Sequence, residues 1–219
     1  MRDGERTAGA VALICLLVTV IWLGLFVYDT ATSGPVETFD QAVASAARLD
    51  LLEVLTYVNA TLLTVSAMML FGALYVLLKA KAPLWAAMGV VFVPIYGALN
   101  LFSYVSQLTI VPRLAALRPA ADIVLGQMVQ AWRGSAVNVV NNLGYAVLGI
   151  PSILFGGLLA REGGLRWAGI LLAVSGGACV VGIVGVAAGS ELLSLGSVVG
   201  GVLFLAALVP LSAGLLRGA

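Results

Sequence analysis

The sequence predicts an all-α fold, a polytopic transmembrane helical bundle of six spans with the N and C termini both cytoplasmic. Its 219 residues are 62% hydrophobic and only 10% charged, and the mean hydropathy is +1.12. A water-soluble domain is about half apolar and a quarter charged. Because a hydrocarbon core about 30 Å thick needs roughly 20 apolar residues per helix, a chain of this length accommodates about six or seven spans.

Six apolar runs define the spans and make the chain a single transmembrane domain. The runs cover residues 7–28, 51–78, 84–110, 136–160, 167–188 and 192–216, and they leave outer loops at 29–50 and 111–135. The first run is too long for the apolar region of a signal peptide, so we expect it to stay in the membrane. In the outer loops, 38–49 and 122–134 have apolar residues near helical spacing, which predicts either short interfacial helices or ordinary loop caps.

Lys and Arg residues are distributed unequally between the two sides of the predicted bundle. Seven of the eleven lie on the side of the termini, namely Arg2, Arg6, Lys79, Lys81, Arg161, Arg166 and Arg217. The other four are Arg48, Arg113, Arg118 and Arg133. Since basic residues in short loops are retained in the cytoplasm, the termini are predicted to be cytoplasmic, in a multi-pass protein of the inner (plasma) membrane.

Three span starts on the side of the termini look alike: Arg-Thr-Ala-Gly at 6–9, Leu-Trp-Ala-Ala-Met-Gly at 84–89 and Leu-Arg-Trp-Ala-Gly at 165–169. The last two suggest that spans 2–3 and 4–5 are related hairpins, although any inward-facing start needs a basic residue, an interfacial Trp and small residues. With Leu-Leu-Arg-Gly at 215–218, the chain resembles an uncharacterised family of bacterial six-span integral membrane proteins. The resemblance implies this architecture and a bacterial inner membrane, and it implies no activity and no site residues.

Polar side chains recur at helical spacing within spans 2, 3 and 4. The three stripes are Glu53, Tyr57, Thr61 and Thr64 in span 2, Asn100, Tyr104 and Gln107 in span 3, and Asn138, Asn141, Asn142 and Tyr145 in span 4. Polar groups inside a bilayer are costly unless they face the bundle interior. The stripes therefore predict a neutral polar pocket in the outer half of the membrane, unless the groups only bond one another across helices.

Three amides between Asn138 and Asn142 favour the pocket, because each brings two donors and an acceptor that need partners. The candidate ligand-binding residues are Glu53, Tyr57, Thr61, Asn100, Tyr104, Gln107, Asn138, Asn141, Asn142 and Tyr145. Glu53 is the one carboxylate expected to face the bundle, and its candidate partners are Arg113, Arg118 and Arg133. Pro94, Pro151 and Pro210 fall inside spans and predict kinks there.

The composition also limits the chemistry that the chain can carry out. It contains no histidine, which removes imidazole-based catalysis and His-ligated metal or haem. Cys15 and Cys179 lie in apolar runs and are expected to be buried hydrophobic residues. We therefore expect no catalytic residue, no metal site and no cofactor. A net charge of +1 gives no reason to expect a nucleic-acid partner.

Two functions from different classes are favoured over a third, an enzyme that acts on lipid and would have to use Glu53, an Arg or a Tyr without histidine. One is a small transporter, channel or ligand-binding membrane protein whose pocket accepts a small polar or amphipathic molecule. The other is a non-catalytic accessory or scaffold subunit of a larger membrane complex. Small residues at Ala178, Gly182, Gly185 and Gly189, with Gly196 and Gly200 in the last span, predict close packing of spans 5 and 6, with a homodimer seam as the alternative.

Overall fold

A computed structural model of the chain describes residues 2–34, 36–47 and 49–218. Arg48, one of the four basic residues predicted on the loop side, lies outside the described residues. The helices are, in order, α1 (Arg2–Ser33), α2 (Phe39–Ala46), α3 (Leu51–Leu78), α4 (Pro83–Thr109), α5 (Val111–Ala115), α6 (Asp122–Met128), α7 (Ala136–Leu159), α8 (Arg166–Ala187), α9 (Glu191–Ser194) and α10 (Gly196–Arg217). A 3₁₀ turn, Gly163–Leu165, precedes α8.

Among the described residues, six helices are long and apolar enough to cross a membrane, and they are α1, α3, α4, α7, α8 and α10. This confirms the predicted all-helical architecture with six membrane-spanning helices. The predicted last span, 192–216, is divided, because its first residues form α9 and α10 begins only at Gly196. The Ser190 hydroxyl accepts a hydrogen bond from the Leu193 N–H at 3.4 Å and so begins α9 as a separate helix.

The six long helices form a closed ring. Each packs against the next one along the chain, and α1 packs against α10. Both chain ends lie on one face, where Gly9 of α1 contacts Leu216 of α10. We call this the terminal face, and the opposite face, which carries α2, α5, α6 and α9, the loop face. The interior is apolar: the Phe71 ring stacks with those of Phe155 and Phe204, at centroid distances of 5.8 and 6.4 Å.

Glycines allow α8 to approach its two neighbours closely. The Gly169 carbonyl of α8 lies so near Gly156 of α7 that a Cβ added at Gly156 would be 2.7 Å from it. On the other side, Gly185 contacts Ser194, and the Ser175 hydroxyl donates a 2.8 Å hydrogen bond to the Gly200 carbonyl. The predicted close packing of spans 5 and 6 is confirmed, within one chain.

The short helices α2, α5 and α6 of the loop face pack against each other. Val43 of α2, Val111 of α5 and Leu125 of α6 are buried in one small apolar cluster. The Phe39 ring meets the Trp132 ring edge-on at 5.7 Å. Short helices in both long loops are therefore confirmed, and they bury one another instead of lying singly at the interface. We call α2, α5 and α6 with their connecting residues the loop-face cap.

Candidate functional site

Polar side chains line the contact between α4 and α7 in the half of the bundle nearer the loop face. Asn100 and Tyr104 of α4 are 0% and 4% exposed. The Tyr104 hydroxyl lies 2.6 Å from the Tyr145 hydroxyl of α7, so a hydrogen bond joins the two helices. Asn141 of α7 is also buried, and its side chain adjoins Tyr104. We call Asn100, Tyr104, Asn141 and Tyr145 the polar seam.

The Asn100 amide is the most unusual group of the seam. It is fully buried, and neither its Oδ1 nor its Nδ2 has a hydrogen-bond partner among the described residues. The Oδ1 atom packs against Gly144 of α7, where any Cβ would collide with it. Leaving a buried donor or acceptor unsatisfied costs about 1–3 kcal/mol. The seam therefore holds hydrogen-bonding capacity that the protein itself does not use.

The three amides of the predicted α7 cluster behave differently from one another. The Asn142 Nδ2 donates to the Asn138 carbonyl at 3.0 Å and to the Asn138 Oδ1 at 3.1 Å. The Asn138 Nδ2 donates to the Gln130 carbonyl at 2.8 Å. Asn141, by contrast, keeps a buried Oδ1 without a described partner. The donor groups of Asn138 and Asn142 thus serve structural bonds, and Asn141 is the cluster member that belongs to the seam.

Gln107, one helical turn beyond Tyr104, connects α4 to the loop-face cap. Its Nε2 donates to the Met128 carbonyl at 2.8 Å, and its Oε1 accepts from the Gln130 N–H at 3.1 Å. The same Nε2 also lies 3.1 Å from the Ser103 carbonyl. Because both ends of the amide are occupied, Gln107 positions the cap over the seam and has little capacity left for a ligand.

The candidate residues of α3 are not brought into the seam. Tyr57 and Thr61 are half-buried, and the Thr61 hydroxyl donates to the Tyr57 carbonyl of its own helix at 2.9 Å. In the described part of the chain no hydrogen bond joins either residue to α4 or α7. Both side chains lie at the edge of the buried face of α3, so they flank the bundle interior instead of facing it.

Glu53 serves as a helix cap. Its carboxylate accepts a hydrogen bond from the Asp50 N–H at 3.2 Å, while the Asp50 carboxylate accepts one from the Glu53 N–H at 2.9 Å. This reciprocal arrangement satisfies two free N–H groups at the start of α3. The expected pairing of Glu53 with an outer arginine is not found among the described residues, and Arg118 instead pairs with Asp122 at 2.9 Å.

Sequence reasoning missed several buried polar residues, and the two largest of them are Asn59 and Tyr96. Asn59 of α3 is 9% exposed and its Oδ1 lacks a described partner. It lies two residues from both Tyr57 and Thr61 and therefore on the other side of the helix, so the polar stripe predicted through those two residues did not include it. Tyr96 of α4 is 2% exposed and continues the Asn100 face by one turn. An Asn inside an apolar span is itself a signal for a functional position.

The seam offers neutral amides and phenols. Among the described residues, no group of three or more His, Cys, Asp or Glu side chains is arranged to hold a metal ion. The amides and phenols of the seam can bind a polar molecule by donating and accepting hydrogen bonds. No protein-family model, curated protein or solved structure matches the chain, so the resemblance to a bacterial six-span family stays a prediction.

Proposed function

We propose that this integral membrane protein binds or passes a small polar molecule at the polar seam, beneath the loop-face cap. The observation that carries the proposal is the Asn100 amide, buried with both polar atoms unpaired. Buried polar groups in proteins are nearly always bonded to protein or to ordered water. A molecule that donates to Oδ1 and accepts from Nδ2 would supply the missing partners of this side chain.

The chemistry of the seam limits the ligand to an uncharged molecule. The seam contains only neutral groups, namely those of Asn100, Tyr104, Asn141 and Tyr145. An ion bound there would lose its hydration shell and find no opposite charge to offset that cost. The contact of Asn100 with Gly144 leaves little space between the helices. The ligand class that fits is therefore water, or a small solute that carries hydroxyl or amide groups.

The proposed route to the seam starts at the loop face. Gln107 holds the segment after α6 over the outer end of α4, so movement of the loop-face cap would uncover the seam. The interior on the terminal side is filled by Phe71, Phe155 and Phe204. The proposed setting is the bacterial inner membrane with cytoplasmic termini, which the seven-to-four distribution of Lys and Arg supports.

Cysteine accessibility tests the proposal. In a background where Cys15 and Cys179 are replaced by Ala, single substitutions Asn100→Cys and Asn141→Cys are treated with a small water-soluble methanethiosulfonate reagent. Only the thiolate reacts, and burial in apolar surroundings suppresses it, so reaction reports polar access. We expect both thiols to react much faster than that of Leu148→Cys, a buried apolar position of α7. Equal, negligible rates at all three positions would show that the seam is dry.

A matched pair of isosteric substitutions separates a binding role from interhelical bonding. Asn142→Leu removes a donor bonded within α7, so we expect it to cost about 0.5–2 kcal/mol of stability and leave seam access unchanged. Asn141→Leu removes the unpaired Oδ1 together with the rest of the amide, which adjoins Tyr104, so we expect reduced access at a stability cost no larger than that of Asn142→Leu. If stability and access fall in proportion in both variants, the amides act only in packing.

The second candidate function is a non-catalytic subunit of a larger membrane complex. The observation that favours it is α1, the least buried of the six membrane-spanning helices. Leu13, Leu17 and Ile21 of this helix are all exposed, and either lipid or another membrane helix would cover them. A protein partner that co-purifies at fixed stoichiometry, seen by native mass spectrometry, would favour this function over the first.

A further inference from the structure

A groove on the terminal face lies between two short connections, α3–α4 and α7–α8. Its volume is about 130 Å³, and the residues that line it are Leu78, Lys81, Ala82, Leu158, Arg161 and Glu162. These residues end or begin membrane-spanning helices, so the groove lies at the level where lipid headgroups meet the hydrocarbon core. It is remote from the polar seam, which lies toward the opposite face.

The rim of the groove is positively charged. Lys81 of one connection forms a 2.8 Å ion pair with Glu162 of the other. The Arg161 side chain is exposed, and no ion pair or hydrogen bond joins its guanidinium to another described residue. Two further basic residues lie near the groove without lining it: Lys79 directly follows α3, and Arg166 begins α8. The groove lining thus holds two basic residues and one acidic residue, and the Arg161 guanidinium keeps its full hydrogen-bonding capacity.

The floor and flanks of the groove are apolar. Leu78 is only 4% exposed and forms the floor together with Ala82 and Leu158. Trp85, at the start of α4, and Trp167, at the start of α8, are 51% and 71% exposed. Exposed Trp residues at helix ends are typical of the headgroup level of a membrane. A groove with a cationic rim and an apolar floor matches both parts of a phospholipid, its phosphate and the start of its acyl chains.

We propose that this groove binds the phosphate group of an anionic phospholipid. Arg161 is the principal ligand, because its planar guanidinium presents paired N–H groups to phosphate oxygens. Lys81 is shared between the phosphate and Glu162, so the lipid bridges the two connections as the ion pair already does. A soluble anion would use the rim alone. Basic pockets between membrane helices on the cytoplasmic side bind anionic headgroups by this chemistry.

Lipid titration of the purified full chain tests the site. Phosphatidylglycerol is added to the protein in a neutral detergent, bound lipid is counted by native mass spectrometry, and phosphatidylcholine serves as the neutral comparison. We expect Arg161→Gln to weaken phosphatidylglycerol binding about fivefold, the usual effect of one basic residue at a membrane surface. Glu162→Gln should strengthen binding, because it releases Lys81 to the phosphate.

Two control variants carry the same charge changes elsewhere on the terminal face. Arg217→Gln and Glu5→Gln lie outside the groove lining, so we expect them to leave phosphatidylglycerol affinity unchanged. Equal losses in Arg161→Gln and Arg217→Gln would mean general surface charge and would overturn the site. Equal binding of the two lipids would overturn it too.

Inorganic phosphate distinguishes a lipid site from a simple anion site. We expect sodium phosphate, at a concentration equal to that of the lipid, to leave phosphatidylglycerol bound, because free phosphate has no contact with the apolar floor. Complete displacement would show that the groove recognises any phosphate, and the lipid assignment would then be wrong. Arg161→Gln should weaken phosphatidylglycerol binding, and Glu162→Gln should strengthen it. A folding defect would weaken binding in either variant, so it cannot produce this pair of results.

Discussion

Replacing Gly156 by Ala tests whether α7 and α8 are held by direct contact of their backbones. A Cβ at this position would lie 2.6 Å from the Ala173 nitrogen and 2.7 Å from the Gly169 carbonyl oxygen. Ordinary contacts of this kind begin near 3.5 Å, so the helices would have to part by roughly 0.8–0.9 Å. Overpacking of this sort costs about 1–3 kcal/mol. Backbone atoms cannot rotate away as a side chain can, so we expect the upper part of that range.

The neighbouring glycine provides the control. Gly157 is exposed, and a Cβ there meets nothing within 4 Å. Both substitutions gain the same helix propensity, about 0.8–1.0 kcal/mol in water, so the difference between the two variants isolates the overpacking cost. We therefore expect Gly156→Ala to be less stable than Gly157→Ala by about 2–3 kcal/mol.

Unfolding by sodium dodecyl sulfate in mixed micelles, followed by helical circular dichroism, measures this difference. The facing pair on α8 repeats the comparison: a Cβ at Gly176 would lie 2.9 Å from the Ser152 Cβ, whereas one at Gly177 meets nothing within 4 Å. We expect Gly176→Ala to unfold at lower detergent fraction than Gly177→Ala. Equal midpoints within both pairs would refute the close backbone contact of α7 and α8.

Two further predictions concern the two faces of the membrane. Single cysteines on the terminal face, at Lys79 or Arg166, should resist a membrane-impermeant thiol reagent in intact cells, because the Lys and Arg distribution predicts that this face is cytoplasmic. Labelling of both from outside would reverse the predicted orientation. Gln107→Leu should speed hydrogen exchange across 122–130 and cost about 1–3 kcal/mol, since the bonds to the Met128 carbonyl and the Gln130 N–H are lost. Gln130→Leu, which keeps its backbone N–H, is the control, and unchanged exchange in Gln107→Leu would mean that the apolar cluster alone holds the cap.

The helical ring and one wall of the site could be predicted from the sequence because both depend on a local pattern. Apolar runs of sufficient length identified the six membrane-spanning helices. The spacing of Asn100, Tyr104 and Gln107 placed three polar side chains on one face of α4, and all three are buried. A helix fixes the relative direction of side chains three, four and seven residues apart, so this part of the prediction needed no tertiary information.

The partners of each polar group could not be predicted, because they come from other elements. The polar stripe of α3 is as regular as that of α4, yet Tyr57 and Thr61 lie at the edge of the buried face and only Thr64 is fully buried. Asn142 is bonded to Asn138 in its own helix, whereas Asn141 is not. Only the packing of α3, α4 and α7 decides which regular stripe faces the interior and which amide is left unpaired.

The contact between α1 and α10 has a consequence for how the bundle is assembled. A nascent chain enters the membrane from its N-terminus, so α1 is inserted before the other five long helices and α10 after them. Until then the small-residue surface of α1 around Gly9 lacks Leu216, the residue that covers it in the finished ring. The other contacts of the ring join helices that follow one another along the chain, whereas this surface of α1 is covered only after α10 has been inserted. Ring closure is thus a late step of biogenesis, and a chain truncated before α10 leaves both α1 and α8 open to lipid.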